Sequence, residues 1–132
     1  MNENNFAVKA LVKNNDKILL LQKTEMEAAW DCEENRFDLP GGRVLHNESF
    51  VEALKREIKE EIGLSVYDIE ESFRKTLTKA NGEVLNFIYY ECFADDINVI
   101  LSDEHENYFW KSTEEILKDN ALPQWIKELV KK

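Results

Sequence analysis

Four glutamates in the middle of the chain have the residue type and the spacing of a metal site. Glu57, Glu60 and Glu61 stand at positions i, i+3 and i+4, so a helix would carry all three on one face, and Glu48 precedes that helix. Like charges at this spacing destabilise a helix by about 0.2–0.5 kcal/mol per pair, and a bound cation would offset the repulsion. Oxygen ligands suit Mg²⁺, with Mn²⁺ as the alternative, better than zinc or copper.

The neighbours of these acids favour a site over the alternative interpretation, an ordinary solvated acidic helix face. Gly41 and Gly42 predict a turn in which the backbone can approach a ligand closely. Arg56 can pair with Glu60 one turn later, and Gly63 is suited to end the helix.

The core is expected to fix where the acids point. Ser49 begins a capping box with Glu52, which predicts the start of the helix. An apolar residue follows at every fourth position, which predicts a buried stripe beside the acids: Leu54, Ile58 and Ile62.

The remaining chain is typical of strands joined by turns, followed by a terminal helix. Strands are predicted at residues 6–12, 17–22, 66–79, 84–93, 98–101 and 107–110, and a loop at residues 23–35. Ser112 can cap a short helix, and Pro123 suits the first turn of the last one. This order predicts an α+β fold, a mixed sheet with helices packed on its faces.

Bulk composition narrows the class of protein. At 132 residues, with 43% hydrophobic and 33% charged residues, we expect one soluble domain over residues 1–132. The net charge of −10 argues against binding of polymeric nucleic acid or an anionic membrane. Cys32 and Cys92, together with an N-terminus unlike a signal peptide, predict reduced thiols and a cytoplasmic location. A homodimer is left open.

The stretch from Gly42 to Leu64 resembles the Nudix box, G-x5-E-x7-R-E-U-x-E-E-x-G-U, in which U is aliphatic. Every defined position is filled, by Gly42, Glu48, Arg56, Glu57, Ile58, Glu60, Glu61, Gly63 and Leu64. The resemblance implies an α/β/α sandwich and Mg²⁺-dependent hydrolysis of a diphosphate linkage in nucleoside diphosphate derivatives. In such a reaction a divalent cation neutralises the phosphates and lowers the pKa of a bound water.

The same resemblance implies roles for individual residues. It makes Glu57 and Glu61 direct metal ligands, Glu60 a further ligand or water-mediated partner, and the backbone carbonyl of Gly41 a ligand too. Arg56 is implied to orient the neighbouring glutamates.

The general base is left open between two positions. Either Glu57 or a carboxylate on a distant loop can serve, and the loop candidate here is Glu104, also a potential metal ligand, with Glu106 in reserve. Glu48 is implied to support the loop–helix junction.

Cations and aromatic residues near the expected entrance are candidates for substrate binding. Lys23, Arg36 and Arg43 are candidate phosphate contacts, with ordinary surface cations as an equal alternative. Trp30 could stack on a base, as could Phe37 and Trp110, although packing is the stronger interpretation for each, most clearly for Trp110. His46 and His105 are interpreted as surface or loop residues, and Trp125 as core.

The substrate follows by exclusion. Nudix proteins that act on ADP-ribose often carry a proline where Lys79-Ala80 stand here, and those that act on diadenosine polyphosphates often carry a tyrosine where Asn81-Gly82 stand. The remaining resemblance is to MutT-like enzymes, which convert nucleoside triphosphates to a monophosphate and pyrophosphate. The alternatives are a hydrolase of ADP-ribose or nucleotide sugars, and a non-catalytic nucleotide-binding module, a class that commonly lacks one of the box glutamates.

Overall fold

The computed structural model describes residues 5–30 and 36–131, apart from the side chains of residues 29 and 30. Within these ranges the strands form one mixed sheet: β1 (Phe6–Asn14), β2 (Lys17–Lys23), β3 (Phe37–Asp38), β4 (Gly41–Arg43), β5 (Tyr67–Thr78), β6 (Val84–Phe93) and β7 (His105–Ser112). The helices are α1 (Glu25–Trp30), α2 (Phe50–Ile62), α3 (Thr113–Lys118) and α4 (Gln124–Lys131).

The two strands of the first hairpin pair next to their turn and diverge beyond it. β1 and β2 pair at Lys13 with Ile18 and at Asn14 with Lys17. Further along, β4 pairs with β1 and β3 pairs with β2, so residues 37–43 lie between the two strands. β6 runs parallel to β1 on its other edge, and β7 runs antiparallel to β2. The glycine turn is therefore held in the middle of the sheet.

Alternation along β1 and β2 produces two apolar faces, because successive strand residues point to opposite sides. One face packs against the stripe of α2 and includes Val8, Ala10, Val12, Leu19 and Leu21. The other packs against α3 and α4 and includes Leu11, Ile18 and Leu20. This confirms the predicted α/β/α sandwich with a mixed sheet.

The box helix begins and ends where its sequence predicts. The hydroxyl of Ser49 accepts from the amide of Glu52 at 3.1 Å, and the amide of Ser49 donates to the Glu52 carboxylate at 2.9 Å. Gly63 ends the helix in the left-handed conformation, with φ of 72°. The predicted stripe of Leu54, Ile58 and Ile62 is fully buried.

The loop predicted for residues 23–35 is wrong in part, because Glu25–Trp30 forms α1. The hydroxyl of Thr24 accepts from the amide of Glu27 at 3.2 Å, and two acids lie in the first turn, both of which favour a helix start. Residues 31–35 lie outside the described residues.

The strand predicted at residues 98–101 is also wrong. The amides of Ile100 and Ser102 donate to the carbonyls of Ile62 and Glu61, each at 3.0 Å. The last carbonyls of a helix have no partner within it, and this loop supplies one in place of a sheet neighbour. Across the described ranges, no helix combines the length and the apolar character that crossing a membrane would need.

Candidate active site

One guanidinium joins three of the four box glutamates to the glycine turn. Arg56 Nε and Nη2 bond to the two carboxylate oxygens of Glu48 at 2.6 and 3.1 Å. Its Nη1 reaches Glu57 at 2.8 Å and Glu60 at 3.2 Å, and Nη2 also donates to the carbonyl of Arg43 at 3.1 Å. The hydrogen bond from Arg56 lowers the pKa of Glu48. Arg56 thus orients three acids at once.

Glu61 faces the interior. Its side chain is buried, and one carboxylate oxygen accepts from the amide of Gly41 at 2.8 Å. Burial raises the pKa of Glu61 to about 7, although Lys9 and the Gly41 amide favour the charged form. A divalent cation beside this carboxyl would favour its ionised form further.

Space at both glycines of the turn is limited, by backbone at Gly41 and by a side-chain carboxylate at Gly42. A Cβ on Gly41 would lie 1.9 Å from the carbonyl oxygen of Val8, and its φ of 147° disfavours any side chain. A Cβ on Gly42 would lie 2.6 Å from the carboxylate of Glu57. The backbone of β4 therefore lies directly against both β1 and an acid of α2.

The donor chemistry of the acids fits a hard cation. Their oxygens are the ligands that Mg²⁺ prefers. Within the described ranges, however, no three carboxylate, imidazole or thiolate groups form a set that could hold a metal ion. Each of these acids instead has a partner within the protein, because Arg56 pairs with Glu57 and Glu60, and the amide of Gly41 donates to Glu61. Metal binding through Gly41, Glu57, Glu60, Glu61 and Glu104 stays a prediction.

Glu104 lies within electrostatic reach of the box. It is exposed on the loop that precedes β7, and its carbonyl accepts from the amide of Thr24 at 3.1 Å. Although the residue as a whole is exposed, desolvation of its carboxyl raises the pKa of Glu104, and the negative charges of Glu27 and Glu57 raise it further against an opposing effect of Lys9. The structure therefore brings the distant loop candidate towards the acids of α2.

Two of the candidate phosphate contacts lie beside this loop. Lys23 stands opposite His105 in the β2–β7 ladder, and its carbonyl accepts from Arg36 Nε at 2.9 Å. Arg36 also forms an ion pair with Glu106. Arg43 lies on β4, with Nη1 3.4 Å from the carboxylate of Glu83.

The structure describes the side chains of two of the three aromatic candidates. Phe37 packs against Phe109 with ring centroids 6.0 Å apart, and Trp110 donates its indole N–H to the carbonyl of Ile97 at 3.1 Å. Both rings are partly buried against the two cores, as packing would require. The side chain of Trp30 lies outside the described part of the structure.

A buried polar cluster was missed from the sequence. The interpretation of His105 as a surface or loop residue is wrong, since it begins β7 and is buried beside Asp38, which in turn pairs with Lys9. One signal was available, because Lys9 interrupts an otherwise apolar strand and Asp38 directly precedes Leu39-Pro40-Gly41.

The chain is similar in sequence and in fold to proteins of one family. The family model described as NUDIX domain matches residues 3–132. The nucleoside triphosphatase NudI of Salmonella paratyphi B is 30% identical over 116 residues, which cover 80% of each chain. The MutT protein from Methanosarcina mazei Go1 is 28% identical with a TM-score of 0.74, covering 96% of this chain and 89% of that one. A NUDIX family hydrolase from Clostridium perfringens shares the fold at 18% identity, with a TM-score of 0.77 and coverage of 99% and 98%.

Proposed function

The chain belongs to the Nudix hydrolase family, and from this premise we propose that it hydrolyses nucleoside triphosphates to a nucleoside monophosphate and pyrophosphate. The observation that carries the proposal is the joining of Glu48, Glu57 and Glu60 through Arg56, directly beside the glycine turn. The substrate class is supported by two relatives, one named a nucleoside triphosphatase and the other a MutT protein.

Each box residue has a proposed task in this reaction. Glu57, Glu61 and the carbonyl of Gly41 would hold Mg²⁺, with Glu60 as a further ligand. Bound Mg²⁺ neutralises phosphate charge and makes a water molecule more acidic. Arg56 directs the acids towards the site and holds them close to the turn.

Glu104 is the proposed general base. Its raised pKa favours proton uptake, whereas Glu57 is bonded to Arg56 at 2.8 Å. Water oxygen would attack a phosphorus of the linkage, the bond from phosphorus to the bridging oxygen would break, and the proton of water would pass to Glu104. Lys23, Arg36 and Arg43 are the proposed phosphate contacts, and Trp30 remains a proposed contact of the base.

We also propose a cellular location and a class of partner for this activity. The free, buried thiol of Cys92 supports a reducing, cytoplasmic location. The net charge of −10 supports a small nucleotide rather than a nucleic-acid polymer as the partner.

The test is a hydrolysis screen with and without Mg²⁺ on nucleoside triphosphates, oxidised nucleoside triphosphates, ADP-ribose, nucleotide sugars and dinucleoside polyphosphates. Chromatography should identify a monophosphate and pyrophosphate. Glu57→Gln and Glu61→Gln should each lower kcat by about a hundredfold or more, whereas Glu70→Gln, an exposed acid on β5, should leave it unchanged. Turnover of a different diphosphate derivative would replace the substrate assignment, and nucleotide binding without turnover would favour a binding module.

A further inference from the structure

A buried ion pair holds the segment that leads into the glycine turn. Lys9 Nζ lies 3.0 and 3.2 Å from the two carboxylate oxygens of Asp38 and 3.1 Å from the carbonyl oxygen of Leu39. These three contacts can use all three N–H donors of the ammonium group. Because Lys9 lies on β1 and Asp38 on β3, the pair fixes the chain three residues before Gly41.

His105 extends this pair towards the distant loop. Its side chain is 3% exposed, and Nε2 lies 3.5 Å from a carboxylate oxygen of Asp38. A neutral imidazole with its proton on Nε2 would donate to the charged carboxylate. Nδ1 is buried and has no hydrogen-bond partner among the described residues, so Asp38 is the polar contact that orients the ring. His105 directly follows Glu104.

The backbone around Glu104 is also anchored. The amide of Ser102 donates to the carbonyl of Glu61 at 3.0 Å, and the amide of Thr24 donates to the carbonyl of Glu104 at 3.1 Å. His105 then supplies the side chain that reaches from this loop into the interior. The loop is therefore joined to α2, to the start of α1 and to β3.

We propose that Lys9, Asp38 and His105 form a buried positioning network that fixes Glu104 relative to Gly41. Asp38 and His105 are buried and the Lys9 side chain is 16% exposed, so we assign the three to holding other residues in place rather than to contact with substrate. The inference rests on the proposed role of Glu104. If the network served stability alone, the effect of a His105 substitution on kcat would be the same with and without Glu104. Measuring that effect in both backgrounds separates the two roles.

The first experiment compares two substitutions of His105 in two backgrounds. His105→Leu removes the bond to Asp38, whereas His105→Gln can place an amide nitrogen near the position of Nε2. Leucine should lower kcat by about ten- to a hundredfold, with KM changed by less than about twofold. Glutamine should retain most of the activity. In a Glu104→Gln background the leucine change should have no further effect, because both changes then remove the same function.

A histidine control is available in His46, which is exposed, and His46→Leu should leave kcat unchanged. An equal loss from His105→Leu in both backgrounds would overturn the proposal, as would a folded His105→Leu enzyme with normal kcat. If leucine prevents folding, His105→Asn replaces it, since its amide is too short to reach the position of Nε2.

Hydrogen exchange separates this inference from the proposed function. The Thr24 amide reports directly on the carbonyl of Glu104. We expect its exchange to become about tenfold faster in His105→Leu and to stay near the wild-type rate in His105→Gln. If the protein hydrolysed no triphosphate while Thr24 responded in this way, the proposed function would fail and the network would stand. Unchanged Thr24 exchange in a folded His105→Leu protein would exclude the network.

Discussion

Replacing Glu61 with glutamine should change how stability depends on pH. Burial raises the pKa of Glu61 from an ordinary value of 4.5 to about 7. The unfolded chain therefore ionises this carboxyl more readily than the folded protein, and in the absence of metal stability decreases as the pH rises from 4.5 to 7. Glutamine at this position cannot ionise, so that part of the pH dependence should disappear.

The magnitude follows from the same two values. The change in pKa from 4.5 to about 7 corresponds to about 3 kcal/mol of lost stability once the pH exceeds both. Glutamine keeps an oxygen that can accept from the Gly41 amide, a bond of 2.8 Å in the wild type. The variant and the wild type should therefore differ little at pH 4, whereas at pH 8 the variant should be more stable by up to about 3 kcal/mol.

The assay is urea unfolding in EDTA from pH 4 to pH 8, comparing wild type and Glu61→Gln at each pH. Other ionisable groups, including the Lys9–Asp38 pair, are present in both proteins and cancel to a first approximation in the difference. Glu60→Gln is the matched control, because it replaces an acid of the same helix whose side chain is 60% exposed rather than buried. A Glu61→Gln difference that stays constant from pH 4 to pH 8 would refute the argument from burial.

Three further predictions test the packing of the site and of the core. Arg56→Lys should lower stability by about 1–3 kcal/mol and reduce kcat, measured by urea unfolding and steady-state kinetics, because lysine cannot form the paired bonds to Glu48. Gly41→Ala should destabilise the fold severely, since its Cβ would lie 1.9 Å from a backbone oxygen. Gly82→Ala places its Cβ in open space, so it should lower the free energy of unfolding by only about 1–2 kcal/mol, through its φ of 87°. Thermal melts of the two variants would show the difference. Burial raises the pKa of Cys92 to about 12, so iodoacetamide should modify its thiol slowly at pH 8 in the folded protein. Modification should become fast once urea unfolds the chain, and peptide mass mapping would measure both rates.

The box helix was predictable because its signals are local. Ser49 and Glu52 cap each other across three residues, and Gly63 ends the helix through its own backbone conformation. The apolar stripe repeats within single turns, so it identifies the buried face and hence the side on which the acids lie. Chemistry carried by one short element can be read from one short stretch of sequence.

The buried network was not predictable in the same way. Lys9 and Asp38 are 29 positions apart, and Asp38 and His105 are 67 apart. Their contact depends on β3 and β4 lying between β1 and β2, a topology that no local pattern specifies. The loop after β6 shows the same limit, because its amides bond to the end of α2 rather than to a strand.

Two cations hold the glycine turn from different directions, and this arrangement explains how the chain tolerates so many acids in one place. Arg56 pairs with acids on the accessible side, and Lys9 pairs with Asp38 in the interior. Glu61 lies between the two groups, bonded to Gly41, and Lys9 lies close enough to favour its charged form. Both cations also bond to backbone carbonyls, Arg56 to Arg43 and Lys9 to Leu39, on either side of the turn. Arg56 and Lys9 therefore balance the charge of the acids and also fix the backbone around Gly41, whose carbonyl is proposed to bind the same metal ion as the acids.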